Sequence, residues 1–224
     1  MIRLHAVVEG QTEETFVNRI LAPEFEAQGV SIDALQITTG RRGLYVYRGG
    51  IQSYNQLKND LFLWMRQDQN PGAWFTTMVD FYALPKDFPG YRDCIARRDA
   101  LEQVECLEEA LQADVSQPRF IPYLQLHEFE ALLFSDIAKF EGVFPSESAA
   151  IQQLIAIRGE FPTPEHIDDR PDLAPSKRIL QLLPDYRKPV AGPLITQQIG
   201  LPTLRRECLH FNEWIGKIER AVSQ

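Results

Sequence analysis

The chain is poor in cysteine. Cys94, Cys106 and Cys208 are odd in number, widely spaced and form no CxxC pair. That disfavours a zinc knuckle or a disulfide framework and points to a reducing, cytoplasmic setting. Basic residues are also scarce, with 23 Lys and Arg against 31 Asp and Glu and a net charge of −8. A general nucleic-acid coat or a binder of anionic membranes is therefore disfavoured, while a local basic patch stays open. No apolar run is long enough to span a bilayer. The first residues, MIRLHAVVEG, start a strand and lack the apolar core and small-residue cleavage site of a secretory signal.

Several catalytic motifs are missing as well. No Gly-Lys-Ser/Thr follows the Gly40-Arg41-Arg42-Gly43 turn, no GxGxxG follows the first strand, and there is no GxSxG elbow. His127-Glu128 begins HExxH, but Ala131 stands where the second histidine would be. His127 reads as a packed or orienting residue at a strand end.

What is present is enough for a substantial core: 224 residues, 44% hydrophobic and 24% charged. Arg3 to Val8 reads as a strand, and Thr12 with Glu13 and Glu14 as the start of a helix reaching Gln28. Val30 to Thr38 reads as a second strand, and Leu44 to Tyr47 as a short strand or a lid. Ser53 to Gln67 has helical spacing, and Trp74 to Val79 forms a buried strand ending at Asp80. A helix over Asp93 to Leu111 and a strand over Arg119 to Leu126 follow. This alternation predicts an α/β domain over 1–140, with a mostly parallel sheet flanked by helices. Prolines then cluster and strand signals fade, so 141–224 reads as a helical C-terminal extension packed on that domain.

In a parallel sheet the loops after the strands leave from one edge, where open α/β proteins bind ligands. Glu9 ends the first strand, Asp80 ends a central one, and Glu128 and Glu130 follow the last. Converging carboxylates raise one another's pKa unless a cation neutralises them, and an oxygen-only set selects Mg²⁺ or Mn²⁺. Each acid alone has a plainer reading. Glu9 can bond loop amides, Glu13 and Glu128 suit a helix first turn, and Asp80 can cap a turn. The set of strand ends gives the metal reading its weight.

VEGQTEETFV, MVDFYALPKDFPGY, LHEFEALLFSD and PSKRILQLLPDYRKPVAGPLITQQIGL together resemble the family called domain of unknown function 4276. The likeness spans nearly the whole chain. That family is similar to the TOPRIM domains of topoisomerases, primases and overcoming-lysogenization-defect nucleases. The resemblance implies a Mg²⁺-dependent nuclease or phosphotransferase acting on nucleic acid, with a place in phage defence. Glu9 matches the family's strand-end glutamate and Asp80 the first acid of its DxD. The second acid is Tyr82 here, and Glu128 or Glu130 is the strand-end candidate to replace it.

Phosphate handling also needs cations. Arg41 and Arg42 on the Gly-flanked turn are the first candidates, and Lys177 with Arg178 at a helix start the second. Arg187-Lys188 is a weaker pair of the same kind. Ordinary solvated charge is the competing reading for each. Two other functions stay open: a non-catalytic TOPRIM-like binding or regulatory protein, favoured by Tyr82, and an interaction protein whose helical extension docks a partner.

Overall fold

The computed structural model describes residues 2–42, 45–167 and 173–223, with the backbone alone for 41, 42 and 45–48. Strand β1 (Ile2–Val8) pairs in parallel with β2 (Val30–Gln36) on one side and β5 (Ala73–Asp80) on the other. Beyond β5 lie two short parallel pieces, β6 (Phe120–Ile121) and β7 (Leu124–Gln125). The order β2-β1-β5-β6, with β7 also on β5, is the expected parallel α/β sheet.

Side-chain alternation along the strands divides the core between the two faces. Leu4, Ala6, Val8 and Met78 pack with helices α1 (Gln11–Phe16) and α2 (Ala22–Glu26), and with the C-terminal helices. Val7, Phe75 and Val79 pack with α3 (Tyr54–Gln67) and α5 (Ala100–Val115) on the other face. The first apolar cluster runs without a break from β1 into α8 (Lys188–Ile199), α9 (Leu201–Glu207) and α10 (Leu209–Val222). Earlier in this part come α6 (Ser148–Gly159) and α7 (Pro175–Leu182), so the described residues after 140 are mainly helical, as the sequence suggests.

Three elements differ from the sequence reading. The first helix winds through a wider turn over Val17–Leu21 before α2 resumes. The strand expected over Arg119 to Leu126 is cut in two at Pro122. A proline cannot donate to a ladder, and the gap is held by Thr76 and Thr77 hydroxyls donating to the Ile121 and Tyr123 carbonyls, at 2.6 and 2.9 Å. The long helix from Asp93 becomes α4 (Tyr91–Cys94) and α5, broken between them and restarted by the Asp99 cap. That break brings Cys94 and Cys106 together as a disulfide, with Cα atoms 5.4 Å apart. The expectation that the cysteines are unpaired is thus corrected for two of them, because a tight turn removed the distance that sequence spacing implied. Cys208 is free and buried. No helix among the described residues is long and apolar enough to cross a membrane.

Candidate functional site

Past the end of β2 the chain forms an antiparallel hairpin, β3 (Thr38–Arg42) with β4 (Tyr45–Arg48). Its return leg is tied to the first strand end, since the Gly50 N–H donates to the Glu9 carbonyl at 3.0 Å. The side chains of Arg41 and Arg42 lie outside the described residues.

The acids converge beside this hairpin. Asp80 has the parity of Met78, so its side chain enters the α1/α8 face of the sheet and is 4% exposed. Glu9 turns over the end of β5, where its Oε2 accepts the Asp80 N–H at 3.1 Å. Glu13 sits in the first turn of α1, and its Oε2 accepts the Gly10 N–H at 3.0 Å. Glu130 arrives from the 3₁₀ segment Phe129–Ser135, with its Oε1 3.4 Å from the Tyr186 hydroxyl. At the centre stands Lys188, the first residue of α8. Its Nζ lies 2.9 Å from Asp80, 3.2 Å from Glu130 and 3.4 Å from Glu13.

The approach of α8 is what brings the lysine in. Gly192, one turn further along, faces Thr12 and Phe129, and a Cβ there would stand only 3.2 Å from the Phe129 ring. A side chain at that position would oblige the Phe129 ring or α8 to give by a few tenths of an ångström, in the helix that carries Lys188.

The electrostatics are lopsided: four carboxylates share one ammonium. Burial, then the charge of Glu13, pushes the Glu9 carboxyl up to about 7 against the pull of Lys188. Burial likewise raises Asp80 and Glu130. For Lys188 burial acts downward, but Asp80, Glu130 and Glu13 outweigh it and hold the ammonium charged. The oxygens Glu13 Oε1, Asp80 Oδ1 and Glu130 Oε2 are buried without a hydrogen-bond partner, and the first and last of these rest on the ion pair with Lys188 alone.

A raised carboxyl has a sign that can be measured. From pH 4.5 to about 7 the folded chain keeps a proton on Glu9 that the unfolded chain has released, so stability falls as the pH rises through that window. Glu9→Gln is expected to flatten this fall, read as urea midpoints across a pH series. Parallel slopes for the two proteins would show that Glu9 titrates as an ordinary glutamate.

Of the sequence candidates, Glu9, Asp80 and Glu130 meet at one sheet edge. Glu128 does not join them: its Oε2 accepts the Ser176 N–H at 2.9 Å, where α7 begins. Lys177 is exposed in the same first turn. Arg178 is buried, its Nε donating to the Leu173 carbonyl at 2.7 Å and its guanidinium 5.1 Å from the centre of the Phe161 ring. Tyr82, in the place of the second acid, is 37% exposed and packs against Phe81 and His127. Burial holds the His127 imidazole down at about 4, so it is neutral, and its Nε2 lies 2.9 Å from the Glu165 carbonyl.

Sequence reasoning missed the role of Lys188 among the acids, ranking it with Arg187 as a weaker phosphate contact, and gave Glu13 to the helix dipole alone. Nothing in the chain near Lys188 signals a contact with Asp80, 108 residues away. Among the described residues no three His, Cys, Asp or Glu side chains are set as they stand to hold a metal ion. The acids turn instead on the ammonium. Their hard oxygen donors and unbonded buried atoms nonetheless suit a cation such as Mg²⁺ or Mn²⁺, provided Lys188 yields part of the space.

No curated protein and no solved structure matches the chain. Residues 8–219 do match a family, described as Domain of unknown function (DUF4276), and the chain belongs to it.

Proposed function

We propose that the acid cluster is the metal site of a TOPRIM-like, divalent-cation-dependent nuclease or phosphotransferase acting on nucleic acid. The observation that carries this reading is the charge imbalance: Glu13, Asp80 and Glu130 hold a single ammonium with Glu9 beside them on the Asp80 amide, and three buried oxygens of the cluster lack hydrogen bonds. Glu9, Asp80 and Glu130 would hold the cation, with Glu13 as a further donor. When bound, a divalent cation supplies charge neutralisation and Lewis acidity at phosphate oxygens. Lys188 keeps a third of its side chain exposed (34%), so its ammonium can turn from the acids to a phosphate oxygen. In the metal-free cluster the Glu9 carboxyl is pushed up to about 7, so binding a cation near neutral pH would displace a proton from it. A role in phage defence goes with the family resemblance.

One observation favours a second reading. An ammonium already holds three of the acids, and Tyr82 replaces the other acid expected there, which fits a binding or regulatory protein that has exchanged its cation for a lysine. Calorimetric titration with Mg²⁺ and Mn²⁺, followed by incubation with labelled single- and double-stranded DNA and RNA, separates the two. The metal reading expects binding to weaken by at least about tenfold in Glu9→Gln. It also expects strand cleavage or phosphoryl transfer that stops on chelation. Equal metal binding by the two proteins removes Glu9 from the ligand set. A failure of wild type to bind either ion leaves the lysine-held module.

A further inference from the structure

Away from the acid cluster, a concavity of about 850 Å³ lies between the α4–α5 segment and the start of α10. Tyr82, Ile95, Leu101 and Leu209 all line it, and each is among the most exposed large apolar side chains of the described chain. Together they are half of all such side chains among the described residues. Isolated exposed leucines need no explanation, but this degree of gathering in one groove marks an interaction site.

The rim decides what fits. Asp99, Glu105 and Glu213 line the groove and are exposed, against Arg98 as its one Lys or Arg. Glu165 lies deeper, its carboxylate accepting the His210 and Phe211 amides that open α10, at 3.1 and 3.0 Å. His127 is neutral and offsets none of this charge. An acidic rim repels a phosphate backbone, so a nucleic-acid strand is a poor occupant. A second copy docking through the same face would set the acids of one rim against those of the other. An apolar segment carrying positive charge satisfies both floor and rim. The wall is also fixed in advance: the Cys94–Cys106 disulfide ties α4 to α5, and the Asp99 carboxylate caps α5 by accepting the Glu102 N–H at 2.9 Å. Such preorganisation lowers the entropic cost of docking.

We infer that this groove docks a short segment of a partner protein in which apolar side chains are flanked by lysine or arginine. Leu101 and Leu209 on opposite walls receive the apolar residues, and Glu105 and Glu213 receive the cations. The inference is independent of the metal reading, and Glu9→Gln should leave the docking intact.

The test pans displayed short random peptides against the full chain, with Leu101→Glu/Leu209→Glu as the counter-target. Recovered peptides are expected to combine leucine or aromatic residues with lysine or arginine. A labelled synthetic copy should bind wild type at least about tenfold more tightly than the double variant. Glu105→Lys/Glu213→Lys should weaken that peptide similarly and turn selection toward acidic peptides. All four positions are exposed, so the variants should melt as wild type does. Four results would overturn the inference: peptides that bind the counter-target equally, indifference to the charge reversal, competition by labelled oligothymidylate, or a dimer that Leu209→Glu dissolves.

Discussion

Lys188→Met is expected to destabilise the protein by about 3 kcal/mol at pH 8, and by much less at pH 5. Removing one partner of a buried ion pair typically costs about 3–5 kcal/mol because the opposite charge is left uncompensated. Here the lower end applies, since a third of the lysine side chain meets solvent. The pH dependence comes from the acids. Without the ammonium, Glu9, Asp80 and Glu130 repel one another more strongly, and their already raised pKa values rise further. A carboxyl raised in the folded state costs stability only above its unfolded value, so protonation near pH 5 removes most of the penalty. Methionine keeps the length of the stem, so lost packing contributes little. The check is urea unfolding of both proteins at the two pH values. A loss that is the same at both would mean that Lys188 acts through packing and that the cluster carries no net charge to balance. Added Mg²⁺ should restore part of the loss at pH 8 if the site accepts a cation, because a ligand of the folded state alone stabilises it by mass action.

The chain cut after Phe140 is expected not to fold at all. The helical half is not an ornament on a finished domain: Ile195, Ile199, Phe211, Trp214 and Ile218 complete the cluster that begins at Leu4 and Phe16. Trp214 shows how close the join is. It stacks on Tyr123 at 4.2 Å, and its indole N–H donates to Thr76 Oγ1 at 2.9 Å, in the middle of β5. Cutting the chain would expose this whole face of the sheet and leave Glu9, Glu13, Asp80 and Glu130 without Lys188. Trp214→Ala in the full chain is the milder probe, expected to cost about 4 kcal/mol through lost burial and the cavity left behind. Circular dichroism and proteolysis of the truncated chain check the first expectation, and urea unfolding the second. A truncated chain with a sharp unfolding transition would mean that the sheet and its first helices hold a sufficient core of their own.

The elements of the fold and half of the candidate site could be read from local sequence. A short apolar run marked β1, alternation marked β2 and a buried run marked β5, and the first acids after the apolar residues of β1 and β5 marked Glu9 and Asp80. Parallel pairing followed from the alternation of strands with helices, and with it the shared edge. The resemblance carried by VEGQTEETFV and LHEFEALLFSD agrees with the family that the chain belongs to. Tertiary structure decided the rest. Whether Glu128 or Glu130 faces the cluster depends on the pitch of a 3₁₀ segment and on α7 offering its Ser176 amide, and neither has a periodic signature. The pairing of Cys94 with Cys106 waited on a turn that a continuous helical reading ran straight through. Lys188 was beyond local reading for the plainest reason. Its partners come from three other segments, and only the close approach of α8 at Gly192 brings its ammonium to the acids.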